Sequence, residues 1–415
     1  MTNTGKLSRM RYLIAGCVCI IFLGVIYAWT VFSNEFAATA FGWSAAQRSF
    51  NFTLNNIFSS GMAFVGGKLM QKLKSRVIAL IAAALILVGF LGTSLLQFCE
   101  GAKYGIWILY LCYGAIAGMG QGLAYITALT FPAKWFPDKP GLVSGLLLMF
   151  IGIGSLAVSE GVRILIGVFD IYTSIRITGI AVAAVVAVTG MWMVAPGKDT
   201  ILPPAAKKVD AETEADEDIP TGKMVKRGTF WLYFFWNICI SASGLAIINS
   251  VADIADFFGV ITVAALCVSL FNSAGRLVFG ELIDKIGRKR SIMLNNGILA
   301  LAGVVLLIGA LGKQAVIVFA GIMLIGVAFG ANLTLRLAGI KNLFGNTYSA
   351  ENFGLCNLCV IPASIIGPFI SGLLQDAENG GYTGTFVMVI LFAAAAFVLN
   401  AILNKLSARR TPTEY

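Results

Sequence analysis

An all-α membrane protein, with twelve transmembrane helices in two pseudo-symmetric six-helix halves, is the fold class this sequence predicts. Three observations predict it. Of 415 residues, 58% are hydrophobic and only 12% are charged, about half the charged share of an ordinary soluble domain. Apolar runs of about 20 residues, the length that crosses a bilayer, follow one another along the whole chain. The net charge of +10 sits mostly in short basic segments between those runs, as in loops on the cytoplasmic side of a membrane. Charges scattered in this way do not form a nucleic-acid surface. The chain has no histidine, which excludes imidazole metal sites and histidine proton relays. With no metal constellation and no nucleophile motif either, neither a cofactor nor enzymatic activity is expected.

In order, the runs predict spans near 12–34, 44–67, 77–98, 104–130, 141–168, 172–195, 229–252, 258–281, 291–312, 314–338, 350–374 and 383–404. The N-terminus is short and basic, and its first run is long enough to span rather than be a cleaved signal. Asn51, Asn55 and Asn56 give the second span a polar face, with helix–helix hydrogen bonding as the default use and cavity lining as the alternative. Gly114, Gly118, Gly120 and Gly122 in the fourth span predict close helix packing. Glu160 and Arg163, three apart in the fifth, can pair on one face. Arg48 reads as an outer-interface residue. Arg336, near the end of the tenth span, reads as snorkelling to the inner face beside Lys341, with a gating role as the alternative. Most of the eight cysteines fall inside apolar runs, where they act as small hydrophobes.

The longest break, 196–228, contains the acidic stretch Asp210 to Asp218 flanked by basic residues. It reads as a solvated cytoplasmic linker rather than a site. It separates an N-terminal half, 1–195, from a C-terminal half, 229–415. Lys6, Arg9, Arg11, Lys72, Lys139, Lys226, Arg288 and Lys405 fall on one side of the predicted membrane, with few bases on the other. That asymmetry predicts cytoplasmic N- and C-termini. The halves also repeat a feature. GGKLMQKLKSR follows the second span and GELIDKIGRKR the eighth, and six-span repeats of this kind build many secondary transporters.

Gly280 to Arg290 closely resembles the loop motif of the major facilitator superfamily, G-x-L-x-D-[RK]-x-G-[RK]-[RK]. The first-half copy from Gly67 is degraded, with Gln71 in place of the acid and Lys74 in place of the second glycine. The resemblance implies a cytoplasmic conformational latch at Asp284, Arg288 and Lys289. In physical terms Asp284 can cap a helix dipole and pair with a base; plain positive-inside decoration is the competing reading. WFPDKPGLVSG at 135–145, FGNTYSAENFG at 344–354 and YAWT at 27–30 are similar to segments of the oxalate/formate antiporter family, and the first of them more loosely resembles monocarboxylate (lactate/pyruvate)–proton symporters. The likeness touches both halves, so it covers nearly the whole chain.

That resemblance implies a substrate site. Arg276 aligns with the family's span-eight arginine, within LFNSAGR. Val360 falls where the oxalate carrier has a span-eleven lysine. Tyr125 aligns with part of its aromatic cage, while Phe329 and Leu333 replace a tryptophan and a tyrosine. Asn272 stands where animal symporters carry a proton-coupling aspartate, and Tyr27 lies in the span-one motif. An arginine inside a span is costly unless it faces a cavity or a partner. One arginine matches one carboxylate. The expectation is therefore a monocarboxylate such as lactate, pyruvate or acetate, carried with a proton by alternating access. Asp253, with Asp256 close by, is the candidate proton site, pairing with Arg276 when no substrate is bound; a solvated loop acid is its other reading. The alternatives are anion exchange of oxalate/formate type and a non-transporting receptor on the same fold. A monomer in the cytoplasmic membrane of a bacterium or archaeon is expected, with the lipid bilayer, the proton and the carboxylate as its partners.

Overall fold

The computed structural model describes residues 3–37, 39, 41–99, 101–197, 200, 202–204, 218–260, 264–378 and 381–408. Of the acidic stretch, only Asp218 falls among them. Among the described residues, ten helical segments are long and apolar enough to cross a membrane. We label them in chain order together with two further helices. They are α1 (Arg9–Ala37), α3 (Ser75–Cys99), α4 (Gly105–Ala133), α5 (Pro140–Val168), α6 (Ile171–Trp192) and α7 (Gly228–Asn249). Between α1 and α3 lies α2, Ala45–Leu69, 25 residues long and too polar to count among the ten. The single segment Cys267–Leu311 is two helices joined at Gly287, whose φ of 83° and ψ of 173° are not helical. Its parts before and after Gly287 are α8 and α9. The last three are α10 (Ala315–Phe344), α11 (Ser349–Ala377) and α12 (Thr383–Ser407). That makes twelve labelled helices, and no strand occurs among the described residues.

The chain clusters into two units. One comprises Met1–Asp138 and Phe150–Pro204; the other comprises Lys139–Met149 and Ala205–Tyr415. The N-terminal part of α5 thus groups with the second unit.

In the first unit α2 and α4 cross at van der Waals contact, because small residues recur every four positions. A Cβ on Gly114 would lie 3.0 Å from Asn51 Oδ1, one on Gly118 would lie 2.9 Å from the Asn55 carbonyl, and one on Gly122 would overlap the Ser59 carbonyl. Gly120 points the other way, onto Ala82 and Ile86 of α3. The predicted packing role of these glycines is what the structure shows. Asn55 Nδ2 donates to the Tyr113 carbonyl at 3.0 Å. That carbonyl lies in a π-helical stretch of α4, Tyr110–Ala117, where the wider winding frees backbone groups for outside partners. Asn56 bonds within its own helix, to Phe52. Arg163 and Glu160 pair at 2.6 Å on an exposed face of α5. Arg9 pairs with Asp138 at 2.9 Å, and Tyr12 stacks on Trp135. These contacts fix the WFPD segment to the start of α1.

Two predicted loops are helical. Gly280 to Arg290 runs as helix through the end of α8 into α9, not as a loop. Glu281 and Lys285 pair at 2.7 Å across one turn, which supports helix there. The change of direction is confined to Gly287, in a backbone region that only glycine enters cheaply. The stretch NSVADIADFFG, expected at the end of one span and the start of the next, forms its own short helix, Val251–Phe258. Gly259 ends it in the left-handed conformation. Conversely, α11 is broken. Ser349–Asn357 and Val360–Ala377 are separate pieces with a turn between them. Pro362 lacks an N–H and crowds the Leu358 carbonyl, so the helix cannot run straight through.

The linker's end is not free. Asp218 accepts hydrogen bonds from the backbone N–H groups of Asn346 (2.7 Å) and Thr347 (3.0 Å), and from the Thr347 hydroxyl. Ile219 N–H donates to the Phe344 carbonyl at 2.9 Å, and Thr221 Oγ1 donates to Asn352 Oδ1 at 2.6 Å. Asp218 therefore corrects the reading of the whole stretch as solvated: it clamps the FGNTYSAENFG segment. The Thr347 hydroxyl, then the Thr347 and Asn346 N–H groups, hold its carboxyl below the usual carboxylate range. A depressed carboxylate stabilises the fold above its unfolded pKa of about 3.9 and loses that contribution as pH falls through the lower folded value. Asp218→Asn is expected to speed amide exchange across 219–221 at neutral pH, read by hydrogen–deuterium mass spectrometry. The parent should show the same opening only below about pH 4.

Candidate functional site

The predicted anchor and the predicted latch lie on one helix contact inside the second unit. There α8 meets the N-terminal part of α5 at three levels. At the first level Asp284 takes the N–H groups of Gly141 (2.9 Å, Oδ1) and Leu142 (2.8 Å, Oδ2). Those donors open α5, just after Pro140, so the carboxylate caps the positive end of the helix with both oxygens. At the second level Gly141, Gly145 and Gly280 bring the two backbones together. A Cβ on Gly280 would lie 2.9 Å from Gly145 Cα, and one on Gly141 would lie 2.6 Å from Asp284 Oδ1. At the third level Arg276, 5% exposed, donates from Nη1 to the Leu148 carbonyl at 2.7 Å. Its own carbonyl accepts from Thr334 Oγ1 of α10 at 3.0 Å. Arg276 and Asp284 are eight residues apart on α8, about 12 Å along the axis.

Of the other latch residues, Arg288 is fully buried and Lys289 half-buried. Positive-inside decoration does not describe Arg288, because a loop base would reach solvent. Asn272, one turn before Arg276, is half-buried beside Gly330 of α10, and its Oδ1 has no hydrogen-bond partner among the described residues. Phe329 packs on Gly244 of α7. Leu333 is half-buried on α10, and Val360, also half-buried, opens the second piece of α11. These residues share the second unit with Arg276. Tyr27, exposed, and Tyr125, half-buried, belong to the first unit.

Asp253 is not brought to Arg276. It is exposed on the short helix Val251–Phe258, and among the described residues it makes no ion pair. Its charge acts on Tyr382, whose hydroxyl is pushed up first by burial and then by Asp253. Asp256 is exposed on the same helix. The expected pairing fails because these acids sit on a separate helix beyond α7, not on a face of a span.

Arg336 overturns its own expectation. It does not snorkel: it is 2% exposed in the interior of the second unit. Nε donates to Asn237 Oδ1 (2.9 Å), Nη1 to Asn357 Oδ1 (2.8 Å) and Nη2 to Ser241 Oγ (2.9 Å). Tyr233, Asn237 and Ser241 recur every four residues on α7 and line one face. Tyr233 donates to the Leu335 carbonyl at 2.6 Å, and Asn332 Nδ2 donates to Ser241 at 2.8 Å. The sequence carried a signal for this seam: polar residues at helical spacing on α7, opposite an arginine on α10.

The comparisons agree with this architecture. The family model of the Major Facilitator Superfamily matches residues 14–360 and 238–414. The oxalate:formate antiporter of Oxalobacter formigenes is 28% identical over 409 residues, 96% of this chain and 93% of that protein. An uncharacterized MFS-type transporter of Escherichia coli, YhjX, is 26% identical over 359 residues, 85% of this chain and 84% of that protein. Among solved structures, the proton:xylose symporter XylE bound to 6-bromo-6-deoxy-D-glucose superposes with a TM-score of 0.71. It is 12% identical and covers 97% of this chain and 96% of the symporter. The chain therefore belongs to the Major Facilitator Superfamily of membrane transporters and is similar to its oxalate/formate antiporters.

Proposed function

We propose that this protein exchanges small carboxylate anions across a membrane by alternating access, with Arg276 as the anion anchor. The observation that carries the reading is a guanidinium buried inside a membrane helix. Such a group costs roughly 2.5 kcal/mol or more at the bilayer centre, and a carboxylate is the partner its fork fits best. The Leu148 carbonyl is a neutral acceptor, which a charged carboxylate displaces at a gain. Similarity to an oxalate:formate antiporter over 96% of the chain supports the same substrate class. The Asp284 cap on α5 is the latch, broken and remade in each cycle. Both termini and the Asp284 end face the cytoplasm, where the bases collect.

A second reading, monocarboxylate–proton symport, is favoured by Val360, an apolar residue where the resemblance places a lysine. In that reading Asp253 is the proton site. Proteoliposomes separate the two. Under exchange, formate-loaded vesicles take up labelled oxalate without a proton gradient, and Asp253→Asn stays within twofold of the parent. Uptake of lactate into empty vesicles, driven by an inward proton gradient and lost in Asp253→Asn, would establish symport instead.

A further inference from the structure

A second buried cation remains unused by that mechanism. Arg336 lies wholly inside the protein, and among the described residues no carboxylate pairs with it. Its hydrogen-bond partners Asn237, Asn357 and Ser241 are all neutral. Three of its five N–H groups are occupied, which leaves one on each terminal nitrogen. A buried arginine kept only for structure is normally balanced by an acid, because an uncompensated charge in low dielectric is strongly destabilising. Its three hydrogen-bond partners orient the guanidinium and carry no charge. Asn237 is itself fixed, since its Nδ2 donates to the Tyr233 carbonyl at 2.8 Å. Ser241 is fixed by Asn332. Asn357 is the last residue before the break in α11, and it is half-buried, the least enclosed of the three.

We propose that Arg336, with Asn237, Ser241 and Asn357, is a carboxylate-binding subsite of the second unit, distinct from Arg276. It takes one carboxylate group of a small organic anion on the two remaining N–H groups of its fork. Amide and hydroxyl groups hold the fork in place, and the anion supplies the missing charge. The inference rests on the carboxylate reading above, and it adds a determinant that the family comparison does not identify. The carboxylate comes either from a monoanion or from one end of a dianion.

The test is thermal unfolding of the purified protein in detergent, titrated with oxalate, formate or chloride at constant ionic strength. Arg336→Gln and Asn357→Asp are the decisive variants. Asn357→Asp keeps the arginine and places an acid at 2.8 Å from it, so the protein neutralises itself. Both empty variants are expected to melt at or above the parent temperature, and both should need at least tenfold more oxalate for the same rise. Formate titrations separate the sources. A formate response lost in both variants makes the ligand any monocarboxylate; one retained beside a lost oxalate response assigns the subsite to a dianion's end. Variants that bind both anions within twofold of the parent overturn the subsite. So does an Arg336→Gln that melts far lower while Asn357→Asp binds normally, which makes Arg336 a structural brace. If the parent and the variants bind and only Arg276→Gln does not, the subsite falls and the carrier reading stands. A parent that responds to no carboxylate overturns both.

Discussion

Arg276→Gln should abolish carboxylate exchange, with a loss of at least about 100-fold in counterflow rate. Removing one partner of a buried charge pair costs about 3–5 kcal/mol, and each 1.4 kcal/mol is tenfold in binding. Gln is chosen over Ala because its amide can still donate to the Leu148 carbonyl, so the contact between α8 and α5 is retained. What Gln lacks is charge and the second prong of the fork. Arg276→Lys keeps the charge but not the fork, and its rate should fall between Gln and the parent. Arg163→Gln is the matched control: that arginine is exposed and pairs with Glu160, and exchange should stay within twofold. An Arg276→Gln protein that exchanges at the parent rate would remove the anchor, and with it the proposed substrate class.

Gly122→Val should destabilise the first unit by more than about 3 kcal/mol, at the upper end of overpacking effects. A Cβ at this position overlaps the backbone carbonyl of Ser59 on α2, not the end of a flexible side chain. The helices must part, and the contacts of Gly114 and Gly118 lie on the same seam. The expected result is a large fall in melting temperature in detergent, or no recoverable monodisperse protein. Gly161→Ala controls for the general effect of replacing a helix glycine. Nothing lies within 4 Å of its Cβ position, so its stability should shift by no more than about 0.5 kcal/mol.

Sequence patterns revealed features with a strong local cause. Twenty-residue apolar runs gave the helices, and four-residue glycine spacing gave the α2–α4 seam. The ordered acid, glycine and bases of GELIDKIGRKR pointed to a helix-capping role for Asp284. Less legible were features set by where a helix truly ends. Arg336 read as a membrane-edge residue because hydropathy falls after position 338, yet α10 continues to Phe344. Nearly two more turns of helix place that arginine within the helix and not at its end. Asp253 read as a membrane acid for the converse reason. The apolar character of its segment continues, but the helix stops at Asn249 and restarts at Val251. At Gly287 a single residue turns the backbone, and hydropathy alone cannot distinguish that from a loop.

The seam around Arg336 also constrains how the chain enters the membrane. An arginine on an isolated helix raises the cost of insertion by roughly 2.5–3.5 kcal/mol. The acceptors that relieve it, Asn237 and Ser241, sit on α7, about 100 residues earlier in synthesis. Helix α7 emerges long before α10, and Asn357 follows α10 by a single turn of loop and the first piece of α11. With α7 already made, its acceptors lower the cost of burying Arg336 when α10 follows. A chain truncated after α10 carries its arginine with one of its three neutral partners missing.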